Sequence, residues 1–181
     1  MCIRDRHKAQ LVVRGFEQVK DKDYKHTFSH VAKLTTVRLF IAIATAKQWP
    51  LHQLDINNAF LHGYIDDEVY MLPSQGYSLA LPGQVCKLQR SLYGLKQASR
   101  QRNVEMTKFL LSKGFHQFKS DYSLFTRQHQ GTYIFILVYV DDLLRTGDDS
   151  SGISALKDSL HNTFTIKNLG LAHYFLGIEI A

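Results

Sequence analysis

The chain has 181 residues, 45% of them hydrophobic and 21% charged, with 22 Lys and Arg against 16 Asp and Glu for a formal charge of +6. That is the size of one domain with enough apolar content for a core, and it excludes a disordered tail, a collagen-like repeat and a coiled coil. Two cysteines, Cys2 and Cys86, exclude a disulfide framework, no C-x-x-C pair offers a zinc site, and the longest apolar run, residues 133–140, falls far short of the roughly 20 residues of a membrane helix. Residues 9–14 (AQLVVR) read as a short strand ending at Gly15. Residues 36–48 read as a helix, with Thr35 as N-cap, Val37, Phe40, Ile41 and Ala44 as its apolar stripe, and Trp49-Pro50 as its stop. Residues 51–56 (LHQLDI) alternate as a strand does, and residues 68–72 and 85–88 read as short strands around a Pro/Gly-rich connection. A second helix is expected over 99–113, with Val104, Phe109 and Leu110 inward and Gly114 just past its end. Residues 121–127 read as a strand. Residues 133–140 (YIFILVYV) form the strongest strand, apolar throughout and so expected to be buried on both faces. A return strand over 143–147, a third helix over 152–164 and a last strand over 174–180 complete an α+β layout, helices packed on a mostly antiparallel sheet.

The charges are unevenly placed. Basic residues gather between Arg4 and Lys25 and between Lys87 and Lys108, which points to a polyanion partner or to a solvated basic surface. Acids gather at 66–68, at 141–142 and at 148–149. Asp141 and Asp142 directly follow the most apolar strand. They read either as a hairpin tip, where Asp is a good turn residue, or as chemistry. Asp55, in a second apolar strand, favours chemistry: if the two strands are neighbours, three carboxylates converge at one edge of the sheet. Two like charges about 4 Å apart repel by roughly 4 kcal/mol at an effective dielectric of 20. Such a cluster needs protonation or a counter-charge. A divalent cation with oxygen ligands is the economical answer, and two would clamp the attacking and leaving oxygens of a phosphoryl transfer. Nucleases and other metal phosphotransferases fit this pattern equally well. The nine histidines are scattered; His26 and His30 lie four apart but have no third ligand, and read as surface or core residues.

Further strings narrow the class: KAQLVVRGFEQ, TFSHVAKLTTVR, LHQLDINNAFLHG, EVYM, VCKLQRSLYGLKQASRQ, YSLF, LVYVDD and YFLGIEI, in this order from Lys8 to Ala181. YVDD alone is a weak tetrapeptide, but the set is specific. Together they resemble the reverse transcriptase of copia-type LTR retrotransposons. The resemblance implies a right-hand polymerase palm, an antiparallel sheet backed by helices, with partial fingers and no thumb. By motif match, Asp55, Asp141 and Asp142 are the catalytic carboxylates, and Ile56 lends a backbone carbonyl to the same two Mg²⁺ ions, for which Mn²⁺ can substitute. Phe60 falls at the aromatic gate that excludes a ribose 2′-hydroxyl; Lys8, Arg14, Tyr93, Gly94 and Lys96 fall in nucleotide-contacting motifs. Phe175, Leu176 and Gly177 resemble the primer grip, and Lys167 aligns loosely with a lysine that protonates pyrophosphate. Phe60 reads equally as core, Gly94 as an ordinary turn, and Lys8, Arg14 and Lys96 as solvated charges, when taken without the motifs. The implied partners are an RNA or DNA template–primer, dNTPs and the thumb and RNase H segments of a parent polyprotein, with no membrane. The implied location is the cytoplasm, in the element's virus-like particle, or the nucleus, and not outside the cell.

Several positions depart from the pattern. Gln10 replaces an arginine expected to grip the triphosphate, and an amide supplies no charge. His30 and Ser74 each replace a proline, Arg102 replaces a tryptophan on the helix that should pack its apolar face on the palm, and Arg145 replaces an aliphatic residue on the return strand. A buried, unpaired Arg145 would cost several kcal/mol. The first six residues, MCIRDR, match nothing in the pattern. The expected organisation is therefore a junction at 1–6 followed by one fingers/palm domain over 7–181. No thumb segment follows the primer grip, so weak template–primer binding is expected. Three functions remain open: an RNA-directed DNA polymerase fragment, a degenerate and inactive remnant of one, and a host-adopted nucleic-acid-binding module.

Overall fold

The computed structural model describes residues 10–79 and 81–180. The expected junction at 1–6, and Lys8, lie outside them.

In chain order the elements are α1 (Leu34–Ala46), β1 (His52–Ile56), β2 (Tyr70–Met71), β3 (Cys86–Lys87), α2 (Ala98–Ser112), β4 (His116–Gln117), β5 (Leu124–His129), β6 (Thr132–Tyr139), β7 (Asp142–Gly147), α3 (Ser150–Phe164), β8 (Ile166–Leu171), β9 (Tyr174–Phe175) and β10 (Ile178–Glu179). Short 3₁₀ turns occupy Gly15–Glu17 and Ala59–His62. Six strands form one sheet in the order β4-β5-β6-β7-β1-β8, with every neighbouring pair antiparallel. The chain is thus a mixed α and β fold built on one antiparallel sheet, as its sequence implies.

The sheet is sandwiched. On one face Ile134, Ile136 and Val138 of β6, Leu143 of β7 and Leu54 and Ile56 of β1 meet Met106 and Leu110 of α2 and Ile153, Leu156, Leu160 and Phe164 of α3. On the other, Leu137 and Leu144 meet Val37, Phe40 and Ala44 of α1 and Phe175 of β9. Two covered faces explain why β6 is continuously apolar rather than alternating. The burial is complete only at its middle: Ile136, Leu137 and Val138 are buried, whereas Tyr133, expected inside, is exposed. A third cluster, Val69, Leu95 and Ala98 with Phe60 and Val13 against it, lies outside the sheet sandwich.

Several expected elements are corrected. Residues 10–14 make no strand; they contribute a single parallel bridge, Val12 to Tyr93, with the Val13 amide donating to the Tyr93 carbonyl at 2.8 Å. The segment approaches a loop rather than a strand, so no ladder can grow. α1 begins at Leu34, before the expected cap Thr35, and Lys33 precedes it without a side-chain cap bond. α2 turns Gln101 and Arg102 inward beside Met106 and Leu110, while Phe109 and Val104 are only half-buried. The last strand is a hairpin, β9 and β10, because Leu176 (φ 51°) and Gly177 (φ 79°) reverse the chain. β8 was not expected. Its sequence, IKNLGL, is mostly exposed and lacks an alternating apolar face, so its partner β1 rather than its own pattern defines it.

Candidate active site

β6 and β7 form a hairpin whose two-residue tip is Val140-Asp141. Val140 takes φ 45°, a costly conformation for a β-branched residue that only a well-determined surrounding maintains. β1 lies beside β7 in a register that sets Asp55 directly opposite Asp142. Directly opposed residues of an antiparallel pair share a face, about 4.5–5.5 Å apart at Cα. The tip is fastened to β1 by the Ile56 amide, which donates to the Asp141 carbonyl at 2.9 Å. All three aspartates are half-buried. Asp141 is thus part of a hairpin tip, and the register of β1 on β7 brings Asp55 alongside it.

Neighbours on the same face are set by the same register. Gln53, two residues before Asp55, donates from Nε2 to Asp142 Oδ1 at 3.0 Å. Lys167 of β8 stands opposite Asp55 on its other side. Strand periodicity alone puts Gln53 on this face, so it was legible in LHQLDI; Lys167 required the unexpected strand β8.

Beyond the sheet, Tyr93 faces the carboxylates. Its hydroxyl pKa is raised, first by burial and then by the negative charges of Asp141 and Asp55. Phe60, in the 3₁₀ turn after β1, meets Tyr93 edge to face at 4.8 Å between ring centroids. Gly94 is not an ordinary turn glycine: it takes φ 93°, and a Cβ there would lie 2.0 Å from the Val13 carbonyl oxygen. Its lack of a side chain lets the 10–14 segment cross the loop and lie beside Tyr93. Lys96 is occupied locally, donating from Nζ to the Gln18 carbonyl at 3.1 Å and lying 5.1 Å over the Tyr24 ring. Arg14 is exposed and pairs with Glu17 at 3.5 Å. Gln10 is also exposed. Phe175 is buried against Tyr139, which pairs with Asp142 in the hairpin, while Leu176 and Gly177 form the turn beyond it. The strands thus bring Asp55, Asp141 and Asp142 together, Tyr93 and Phe60 lie against them from beyond the sheet, and Arg14 and Lys96 are held against the 15–24 segment instead.

Arg102, which stands in place of the tryptophan on the packing helix, is buried as that position implies. It stands on α2, is 5% exposed, and its Nε and Nη2 have no hydrogen-bond partner among the described residues. Burial lowers its pKa from 12.5 to about 10, against the opposing pull of Asp141 and Asp142. The departure from the expected tryptophan thus puts a buried cation close enough to feel both carboxylates.

The donor set suits a divalent ion, because carboxylates are hard oxygen ligands and the backbone puts two of them side by side. The side chains as they stand do not close around one: among the described residues no group of three or more His, Cys, Asp or Glu could hold a metal. Asp142 is engaged by Gln53 instead. The requirement of convergence is met by the strands and not by the rotamers.

The described geometry is three half-buried aspartates at the tip of an antiparallel hairpin and on the strand beside it, with the Tyr93–Phe60 aromatic pair facing them. Comparison with known proteins identifies the family. The reverse transcriptase (RNA-dependent DNA polymerase) family matches residues 2–181, and the chain belongs to it. It is 45% identical over 176 residues to the retrovirus-related Pol polyprotein from transposon RE1 of Arabidopsis thaliana, covering 97% of this chain and 12% of that protein. The Pol polyprotein from transposon RE2 of the same plant gives the same identity and coverage. That of transposon TNT 1-94 of Nicotiana tabacum is 41% identical over 181 residues, covering 99% of this chain and 14% of the relative. The chain thus spans about an eighth of the length of these relatives. Reverse transcriptases generally use divalent metal ions. No helix among the described residues is long and apolar enough to cross a membrane.

Proposed function

We propose that the chain is the fingers and palm part of an RNA-directed DNA polymerase, adding dNTPs to the 3′-end of a primer on an RNA or DNA template within a larger polyprotein in the cytoplasm or nucleus. The observation that carries the reading is the register of Asp55 against Asp142 around the Asp141 tip. Asp55, Asp141 and Asp142, with the Ile56 carbonyl, would hold two Mg²⁺ ions, or Mn²⁺ in their place. Those ions, when bound, acidify the primer hydroxyl and neutralise charge on the triphosphate. In the reaction the 3′-oxygen bonds to the α-phosphorus, the bond to pyrophosphate breaks and the hydroxyl proton is released. Phe60, held by Tyr93, presents its ring where a ribose 2′-hydroxyl would clash. Tyr93 and Gly94 would line the nucleotide, and Lys167, beside Asp55, is the candidate proton donor to pyrophosphate; Lys8, Arg14 and Lys96 are the basic candidates for its phosphates by motif, and Arg14 and Lys96 would have to leave Glu17 and Gln18 to reach them. Phe175, packed on Tyr139 of the hairpin, and the exposed turn Leu176-Gly177 beyond it would support the primer end.

A second reading has its own observation. Arg102 sets a fixed positive charge near Asp141 and Asp142, which favours a fold that has kept its architecture and lost its chemistry. Single-turnover primer extension on poly(rA)/oligo(dT), with protein in excess and Mg²⁺ or Mn²⁺ present, separates the two. Incorporation that disappears in Asp141→Asn supports the polymerase. No incorporation by a chain that melts cooperatively supports the inactive reading.

A further inference from the structure

The recess at the opposite end of β7 from the hairpin tip carries basic groups that the catalytic reading does not use. Arg145 lies three residues beyond Asp142, so its side chain is on the opposite face and about 10 Å along the strand. It is 5% exposed. Its Nη1 donates to the Ile153 carbonyl at 2.8 Å, and its Nε has no hydrogen-bond partner among the described residues. Burial lowers the guanidinium pKa. His52 stands opposite Arg145 in the β1–β7 register. Both line a cavity of about 430 Å³ together with Lys157, Ser150, Ser154 and Trp49. That volume falls within the range of small-molecule pockets, about 300–1,000 Å³. The lining also includes Asp148, whose Oδ1 accepts from the Tyr133 amide at 2.5 Å, so Arg145 and Lys157 leave the recess with one net positive charge.

A buried guanidinium is costly unless an anion meets it. An arginine fork beside a lysine, an imidazole and two hydroxyls one helical turn apart is donor chemistry suited to tetrahedral oxyanions. We propose that this recess binds a phosphate group, either as inorganic phosphate or on a small phosphomonoester, with Arg145 and Lys157 as the charged contacts and His52 and Ser154 as supporting donors. Trp49, whose indole stacks on Phe135 at 5.8 Å between centroids, stands at the wall and offers an aromatic surface to a carrier. The site is independent of polymerase activity and lies on the other face of the sheet from Asp55 and Asp142.

The test is calorimetric titration of the chain with inorganic phosphate and, separately, with AMP, at ionic strength matched with chloride. Saturable binding is expected, about tenfold or more weaker in Arg145→Ile and several-fold weaker in Lys157→Ala. Arg145→Ile restores the aliphatic residue of the family pattern and is expected to fold; Lys157→Ala, at a half-buried position, is the second variant if it does not. Tighter binding of AMP than of phosphate assigns the site to a phosphomonoester, and equal binding assigns it to the phosphate alone. No saturable binding of either, or binding that both variants leave unchanged, overturns the proposal.

Discussion

Arg102 gives the sharpest test of the energetics. Replacing it with Met removes every donor while keeping a long, flexible side chain; replacing it with Trp restores the residue of the family pattern. The fall of its pKa from 12.5 to about 10 corresponds to about 3 kcal/mol at 1.36 kcal/mol per pKa unit. A second route agrees: two buried donors without partners cost about 1–3 kcal/mol each. The pull of Asp141 and Asp142 is already contained in the first figure, because it opposes the fall. Removing the guanidinium is therefore expected to stabilise the chain by about 3 kcal/mol, a large share of the 5–15 kcal/mol typical of a domain. In a domain of this size about 2–4 °C accompanies each kcal/mol, so Tm should rise by roughly 6–12 °C. Scanning calorimetry and urea unfolding of Arg102→Met and Arg102→Trp read the change directly. Met is the control for overpacking by the larger indole. If both variants melt at or below the temperature of the parent chain, the guanidinium is satisfied in place and the burial argument fails.

Three further outcomes follow from the same geometry. Mn²⁺ binding, followed by electron paramagnetic resonance, should weaken in Asp55→Asn and tighten in Arg102→Met, since one substitution removes a ligand and the other a competing cation; equal affinity in all three chains would refute the carboxylate cluster. Gly94→Ala forces a Cβ to 2.0 Å from the Val13 carbonyl oxygen at a φ of 93°, so it should strain the loop by about 1–3 kcal/mol and release the 10–14 segment, seen as faster proteolytic cleavage there. His52 has its pKa lowered below 6.5, first by burial and then by Arg145 and Lys157; the unfolded chain therefore takes up this proton more readily, and stability present above pH 6.5 should be lost as pH falls through the lower folded value. His52→Gln should flatten that part of the Tm–pH curve, and an unchanged curve would show that the imidazole protonates freely in the fold.

What the sequence disclosed and what it hid have a common physical source. β1, β6, β7 and α3 were legible because each carries its own burial pattern, an alternation, a run or a helical stripe, that needs no knowledge of its neighbours. Asp55, Asp141 and Asp142 were legible as candidates for the same reason: they interrupt apolar strands where a charge is expensive. Their adjacency was a conjecture about strand order, and the register of β1 on β7 supplied it. β8, the split of 174–180 into a hairpin, and the failure of 10–14 to form a ladder depend on what lies alongside. Short exposed segments take their conformation from the partner, and the partner is nowhere in a local window. Arg102 and Arg145 belong to the second kind. Sequence alone marks them as departures, and a charged residue within a helix or strand normally reads as a solvated face. The structure buries both, one where two catalytic-type carboxylates act on it and the other where a recess opens beside it. A fold that lost a tryptophan and an aliphatic residue by neutral drift should be destabilised at both positions alike. Arg102 faces carboxylates of its own chain, whereas the carboxylate lining the Arg145 recess is turned to a backbone amide. Phosphate should therefore raise the Tm of the parent chain and raise that of Arg145→Ile far less, while Arg102→Met keeps the full phosphate response. If phosphate shifts the melting of Arg145→Ile as much as that of the parent chain, the buried guanidinium is a burden of drift and not the floor of a binding site.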